Sequence, residues 1–153
     1  MMLRTLLTVA LGVGLVACGS GGGGGHGDGS AGPGSFEYLE GSTEGTIRFA
    51  SATHAYNPFT DTSEVYCPSA DGWHLWIWWT GPDPYRAGTI LIRVQHPSSE
   101  TFDSQALTII MDGEPWIDDP AGLTSGTFSA DLLGGSPLRP MIITGGRFRA
   151  RRI

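Results

Sequence analysis

The chain has 153 residues and a formal net charge of −6, and its nine basic side chains are all arginine. With Arg4 and Asp28 set aside, residues 36–153 hold eight arginines against fourteen Asp plus Glu, which excludes the basic footprint that nucleic-acid binding needs. Two cysteines in the whole chain leave no disulfide framework to staple a small fold.

The chain opens Met1-Met2-Leu3-Arg4 and continues into Thr5–Val16, which is apolar apart from Thr5, Thr8, Gly12 and Gly14. Twelve residues are too few for a spanning helix, which needs about 20. A charged start, a short apolar run and a small-residue end instead describe a secretory signal peptide over residues 1–17. Leu15-Val16-Ala17-Cys18 resembles the lipobox of bacterial lipoproteins. The resemblance implies cleavage before Cys18, a diacylglyceryl thioether on its sulfur, acylation (palmitate) of the new amino terminus, and a location in the cell envelope. One acyl chain holds a protein only marginally and several hold it firmly, so lipidated Cys18 would be a membrane anchor without a spanning segment. Gly19 stands where an aspartate tends to retain such proteins at the inner membrane, so the resemblance leans towards the outer membrane.

Residues 18–35 read as the lipidated cysteine and a Gly/Ser-rich linker. The G-x-G-x-x-G at Gly19–Gly24 lacks a strand before it and a helix former after it, so it is no nucleotide loop. As a tether, residues 19–35 have a root-mean-square reach of about 20–25 Å.

Residues 36–153 are one domain's worth of chain. No convincing helical period occurs in them. Short β-branched and aromatic runs alternate with Gly, Pro, Asp and Ser clusters. In chain order the pattern predicts strands near 36–40, 45–51, 63–67, 73–80, 88–96, 105–111, 114–118, 125–132 and 141–151. A short helix is expected at Asp61-Thr-Ser-Glu64, which has N-cap spacing, and residues 52–63 are expected to be a long loop. Turns are expected at Gly81–Pro84, at Met111-Asp-Gly-Glu114 and at Asp118–Gly122. In the 88–96 run, Ile90, Ile92 and Val94 should face in, and Arg93 and Gln95 out. Gly126-Thr-Phe-Ser-Ala130 and Gly146-Arg-Phe-Arg-Ala150 share G-x-F-x-A, with Phe placed to pack on a neighbouring strand's Gly. Alternation puts Arg147, Arg149 and Arg151 on one face. Such a face could meet anionic headgroups, but it more often pairs with acids on a neighbouring strand, with Glu37, Glu40 and Glu44 as expected partners. The whole reads as an all-β antiparallel sandwich or small barrel of about eight or nine strands.

Catalytic motifs are missing: no G-x-S-x-G, H-E-x-x-H or paired C-x-x-C occurs. His54, His74 and His96 are about twenty residues apart each, and Ser51 or Ser63 with His54 and Asp61 makes a triad only on paper. Asp112, Glu114, Asp118 and Asp119 overlap turns, which accounts for them better than a Ca²⁺ site or paired carboxylates. No cofactor or metal is implied. Cys67 is expected to be a buried small residue; a disulfide to another chain is the sharper reading. The unusual stretch is Trp73-His-Leu-Trp-Ile-Trp-Trp79. As a strand it turns Trp73, Leu75, Ile77 and Trp79 one way and His74, Trp76, Trp78 and Thr80 the other. Either both faces are covered, the second by the 52–63 segment with Tyr56 and Phe59, or His74, Trp76 and Trp78 form a binding face. Three readings follow: a non-catalytic envelope lipoprotein with a structural or binding domain, a tethered carbohydrate-binding module, and, last, a hydrolase. The membrane, and a glycan or an envelope protein, are the expected partners.

Overall fold

The computed structural model describes residues 32–82, 90–112 and 122–153. They form nine strands and no helix: β1 (Gly34–Glu40), β2 (Thr43–Arg48), β3 (Thr53–Asn57), β4 (Thr62–Pro68), β5 (His74–Thr80), β6 (Ile90–Gln95), β7 (Thr101–Met111), β8 (Leu123–Gly134) and β9 (Arg139–Arg152). The domain is all-β, as the turn-punctuated sequence predicts.

All nine strands belong to one sheet, ordered β2-β1-β9-β3-β4-β5-β6-β7-β8, and β8 pairs again with β9. The hydrogen bonding therefore closes on itself. One edge of the long β9 carries β8; the other carries β1 and then, in parallel, β3 at Thr53↔Arg151 and His54↔Arg152. A bridge between Phe49 and Ser69 joins the end of β2 to β4, so the β1–β2 hairpin fills the gap that β3 leaves. Closure of this kind leaves few sheet edges, and the one at β2 is met only by that bridge.

The interior follows from alternation. Phe36, Val65, Leu75, Ile77, Trp79, Ile92, Val94, Phe102, Met141 and Ile143 are fully buried or nearly so. Ile92 and Val94 point in as expected, and Ile90 packs on the same core while half-buried. Tyr38 meets Trp73 at 4.9 Å and Phe36 meets it at 6.3 Å. Trp73 leads directly into β5, and β1 and β5 are not neighbours in the sheet, so these contacts cross the interior. The ring and every buried residue among those described lie between Gly34 and Arg152.

The repeated G-x-F-x-A is a reciprocal lock. Gly126 pairs with Phe148 and Phe128 with Gly146 across β8 and β9. A Cβ on Gly146 would lie 2.6 Å from the Phe128 ring, so the ring occupies the space that a side chain would need. This is aromatic cover of a strand glycine, and it pins register.

Several expectations are corrected. The segment 52–63 is not a loop: it holds β3 and the β3–β4 hairpin. Nor does it lie over the second face of β5, because β4 separates the two strands and Phe59 is 97 % exposed at the hairpin tip. No helix starts at Asp61. That residue adopts φ 50° in the hairpin turn, and its carboxylate accepts from the Tyr56 hydroxyl at 2.8 Å instead of capping a helix. Pairing with β3 and β5 outweighs local cap spacing here. Glu40 does not meet the Arg147 row; it pairs with Arg139, which also forks onto Glu100. The expected strand at 114–118, the turn at 118–122 up to residue 121, and half of each of the turns at 81–84 and 111–114 lie outside the described residues, as do Cys18 and the segment before Gly32.

Candidate binding face

The outer face of β4, β5 and β6 gathers the side chains that the core does not take. Trp73, just before β5, and Leu75, Ile77 and Trp79 on it are buried, while His74, Trp76 and Trp78 are half-buried and Thr80 is exposed. Register then fixes their neighbours. Tyr66 of β4, Trp76 of β5, Arg93 of β6 and Asp103 of β7 lie on one rung; Glu64, Trp78 and Leu91 lie on the next.

The aromatic rings stand nearly parallel. Tyr66 and His74 are 5.8 Å apart at 6°, His74 and Trp76 5.6 Å at 22°, Tyr66 and Trp76 5.3 Å at 28°, and Trp76 and Trp78 6.1 Å at 8°. The Arg93 guanidinium closes the row 5.6 Å from the Trp78 ring. These separations suit offset-parallel aromatic contact. They leave no slot between Trp76 and Trp78, since a third planar group would need two contacts of about 3.5 Å each. A ligand must therefore lie along the outer rim of the row.

That rim is polar. The Tyr66 hydroxyl and His74 Nδ1 are 2.6 Å apart. Trp78 Nε1–H donates to Glu64 Oε2 at 2.5 Å. Arg93 donates to both Asp103 oxygens, at 2.5 and 2.8 Å, and this hydrogen bonding holds its guanidinium above the ordinary value against the pull of desolvation. Trp76 donates no hydrogen bond through its indole N–H among the described residues. The row thus has fixed geometry and keeps donors and acceptors at its edge.

Sequence reasoning placed His74, Trp76 and Trp78 on one face, and they are together. It missed Tyr66, Glu64 and Asp103 as their neighbours. The signal for Tyr66 and Glu64 lay in the strict alternation of Thr62-Ser-Glu-Val-Tyr-Cys-Pro68, but only the register brings them opposite Trp76 and Trp78.

The other candidates are dispersed. His54 is buried, its Nδ1 2.8 Å from Thr124 Oγ1, and burial followed by the nearby Arg152 charge lowers its pKa to about 4. His96 packs edge-on against Trp73 at 4.5 Å and bonds Ser98 in a turn. The paper triad does not assemble: Ser63 donates to the Gly81 carbonyl and Asp61 serves Tyr56. Cys67 is buried, and burial pushes its thiol pKa up. Among the described residues no three His, Cys, Asp or Glu side chains gather as a metal site. Glu114, Asp118 and Asp119 lie outside those residues.

Scans against protein-family models, curated proteins and solved structures return no match to this chain.

Proposed function

We propose that this protein is a lipid-anchored component of a bacterial cell envelope, outer-membrane if the cell has one, whose β domain binds a partner without catalysis. The observation that carries the binding role is the parallel row Tyr66–His74–Trp76–Trp78 on the outer face of a sheet whose inner face already supplies the core. Aromatic surface kept at the outside in a contiguous row is a mark of interaction sites. The anchor is read from Leu15–Cys18 alone.

A glycan is the second reading, and the rim favours it. Sugar hydroxyls need fixed donors and acceptors beside apolar ring surface, and Glu64, Arg93, Asp103 and His74 surround the row. Two experiments separate these elements. Palmitate labelling and membrane fractionation of the full chain with Cys18→Ala should show loss of label and of membrane retention; unchanged labelling removes the anchor. Trp76→Ala and Trp78→Ala should each weaken capture of envelope proteins or glycans compared with the parent. Unaltered capture by both variants removes the binding face.

A further inference from the structure

We infer that Arg147, Arg149 and Arg151 of β9, with Arg48 of β2, form a docking face for an anionic lipid surface, and that this face holds the aromatic row turned away from the membrane. The orientation rests on the lipid anchor proposed above; the affinity of the face for anionic lipid does not.

Burial alternates along β9, so Gly146, Phe148 and Ala150 fill the interior while Arg147, Arg149 and Arg151 are exposed. Those three repeat at about 6.8 Å by the strand rise. Arg48 joins them because it lies on one rung with Ser35 and Arg147, two strand spacings or roughly 9.5 Å away. The ion pairs among the described residues use Arg93 and Arg139, and none uses these four. Among the described residues, Glu37 of β1, Glu44 on the same outer face of β2, and Asp112, beside Ser125, are the carboxylates nearest this face. Four arginines against these three acids leave the described part of the face positive on a chain of net −6. Between Arg48 and Arg147 runs an open groove of about 560 Å³, floored by Pro33 and Ser35.

The start of the domain crosses the same place. Arg149 N–H donates to the Pro33 carbonyl at 2.9 Å, and Gly34 pairs with Phe148. The approach is so close that a Cβ on Gly34 would lie 2.1 Å from the Arg147 carbonyl oxygen. Thirteen residues separate Cys18 from Gly32. A Gly/Ser chain of that length has a reach of about 20 Å, so an anchor at Cys18 keeps the arginine face nearest the bilayer. The partner chemistry follows: anionic headgroups, which attract each basic residue at the surface. Because Tyr38 of β1 meets Trp73, the residue that leads into β5, across the interior, the outer faces of β1 and β5 point away from each other. The His74–Trp78 row then looks outward.

The test uses the chain from Gly19 to Ile153, which holds all nine strands, and sedimentation with vesicles at millimolar lipid. The parent should sediment with phosphatidylglycerol-containing vesicles at low salt, and neither with pure phosphatidylcholine nor at high salt. Replacing Arg147, Arg149 and Arg151 together by Gln should lower the apparent affinity on the order of a hundredfold, about fivefold per residue. Replacing the same three by Lys should restore it. Equal sedimentation of the Gln variant, equal binding to neutral vesicles, or no binding by the parent would each overturn the inference. This chain lacks Cys18, so the result is independent of acylation, which palmitate labelling reads separately.

Discussion

Trp79 and Trp76 lie three residues apart on β5 and face opposite ways, so their truncations should have unequal costs. Trp79 is 2 % exposed and lies 5.0 Å from the His54 ring. Burying a tryptophan removes about 150–250 Å² from water, worth roughly 4–6 kcal/mol at 25 cal/mol per Å². Its indole N–H is buried without an acceptor among the described residues, and leaving such a donor unmade costs about 1–3 kcal/mol. Trp79→Ala should therefore destabilise by about 3–4 kcal/mol. Trp79→Phe should cost only about 1 kcal/mol, since it keeps most of the ring and removes the orphaned donor. Trp76 gives up its contacts with Tyr66, His74 and Trp78, but it remains partly in water in the folded state. Trp76→Ala should cost about 1–2 kcal/mol. Urea unfolding followed by far-ultraviolet circular dichroism measures all three, with an unchanged slope as the check that the unfolded state is the same. A Trp76→Ala cost equal to that of Trp79→Ala would mean that both faces of β5 are core, and the outer row would no longer argue for a partner.

Gly146→Ala should destabilise by about 1–3 kcal/mol, since its Cβ would lie 2.6 Å from both the Phe128 ring and the Phe128 carbonyl; a cost below about 0.5 kcal/mol in urea melts would end the account of reciprocal Phe–Gly register. Cys67 should be inert to thiol reagents in the folded protein and react only on unfolding, because burial raises its pKa and denies access; fast labelling without denaturant would refute this. His54 is held neutral with a pKa of about 4 against 6.5 when unfolded, so its stability contribution is full above pH 6.5 and is lost as the pH falls from there towards 4. The loss should reach about 3 kcal/mol, and His54→Gln should flatten the pH dependence of the urea midpoint between pH 6.5 and 5, whereas an unaltered slope would assign it to other groups.

The fold was legible wherever side chains alternate in hydrophobicity and illegible where the alternation is carried by other properties. Residues 90–95 read correctly because Ile92 and Val94 alternate with Arg93 and Gln95. In β3 the inward residue is His54, between Thr53 and Ala55, so no apolar period marks Thr53–Asn57 as a strand. In the interior Thr124 of β8 meets the Nδ1 of that histidine, a contact spanning 70 residues of sequence, and the imidazole ring packs on Trp79. Asp61 shows the converse error. Its spacing to Glu64 suits a helix cap, yet Val65 and Cys67 are wholly buried in a sheet whose long-range pairing no local motif announces.

The same distinction explains why the outer row was half visible. Alternation alone put His74, Trp76 and Trp78 together, because it is a property of one strand. Glu64, Tyr66, Arg93 and Asp103 joined them through register, which is set by how four strands align. Register also gives the row two separable energetic roles. Cross-strand aromatic pairs contribute about 0.2–1 kcal/mol each to a sheet, so Tyr66 against Trp76 stabilises β4 on β5 even with no ligand. A stabilising role alone would be met by rings that satisfy their own polar atoms. Tyr66 and Trp78 do so, and His74 and Arg93 each do so in part, through Nδ1 and through Nε and Nη2. Trp76, at the centre of the row, does not: its indole N–H makes no hydrogen bond among the described residues. Trp76 is therefore the side chain whose removal best divides the two roles. Its loss of stability is bounded by its ring contacts, and any loss of binding beyond the other variants reflects the donor it leaves open.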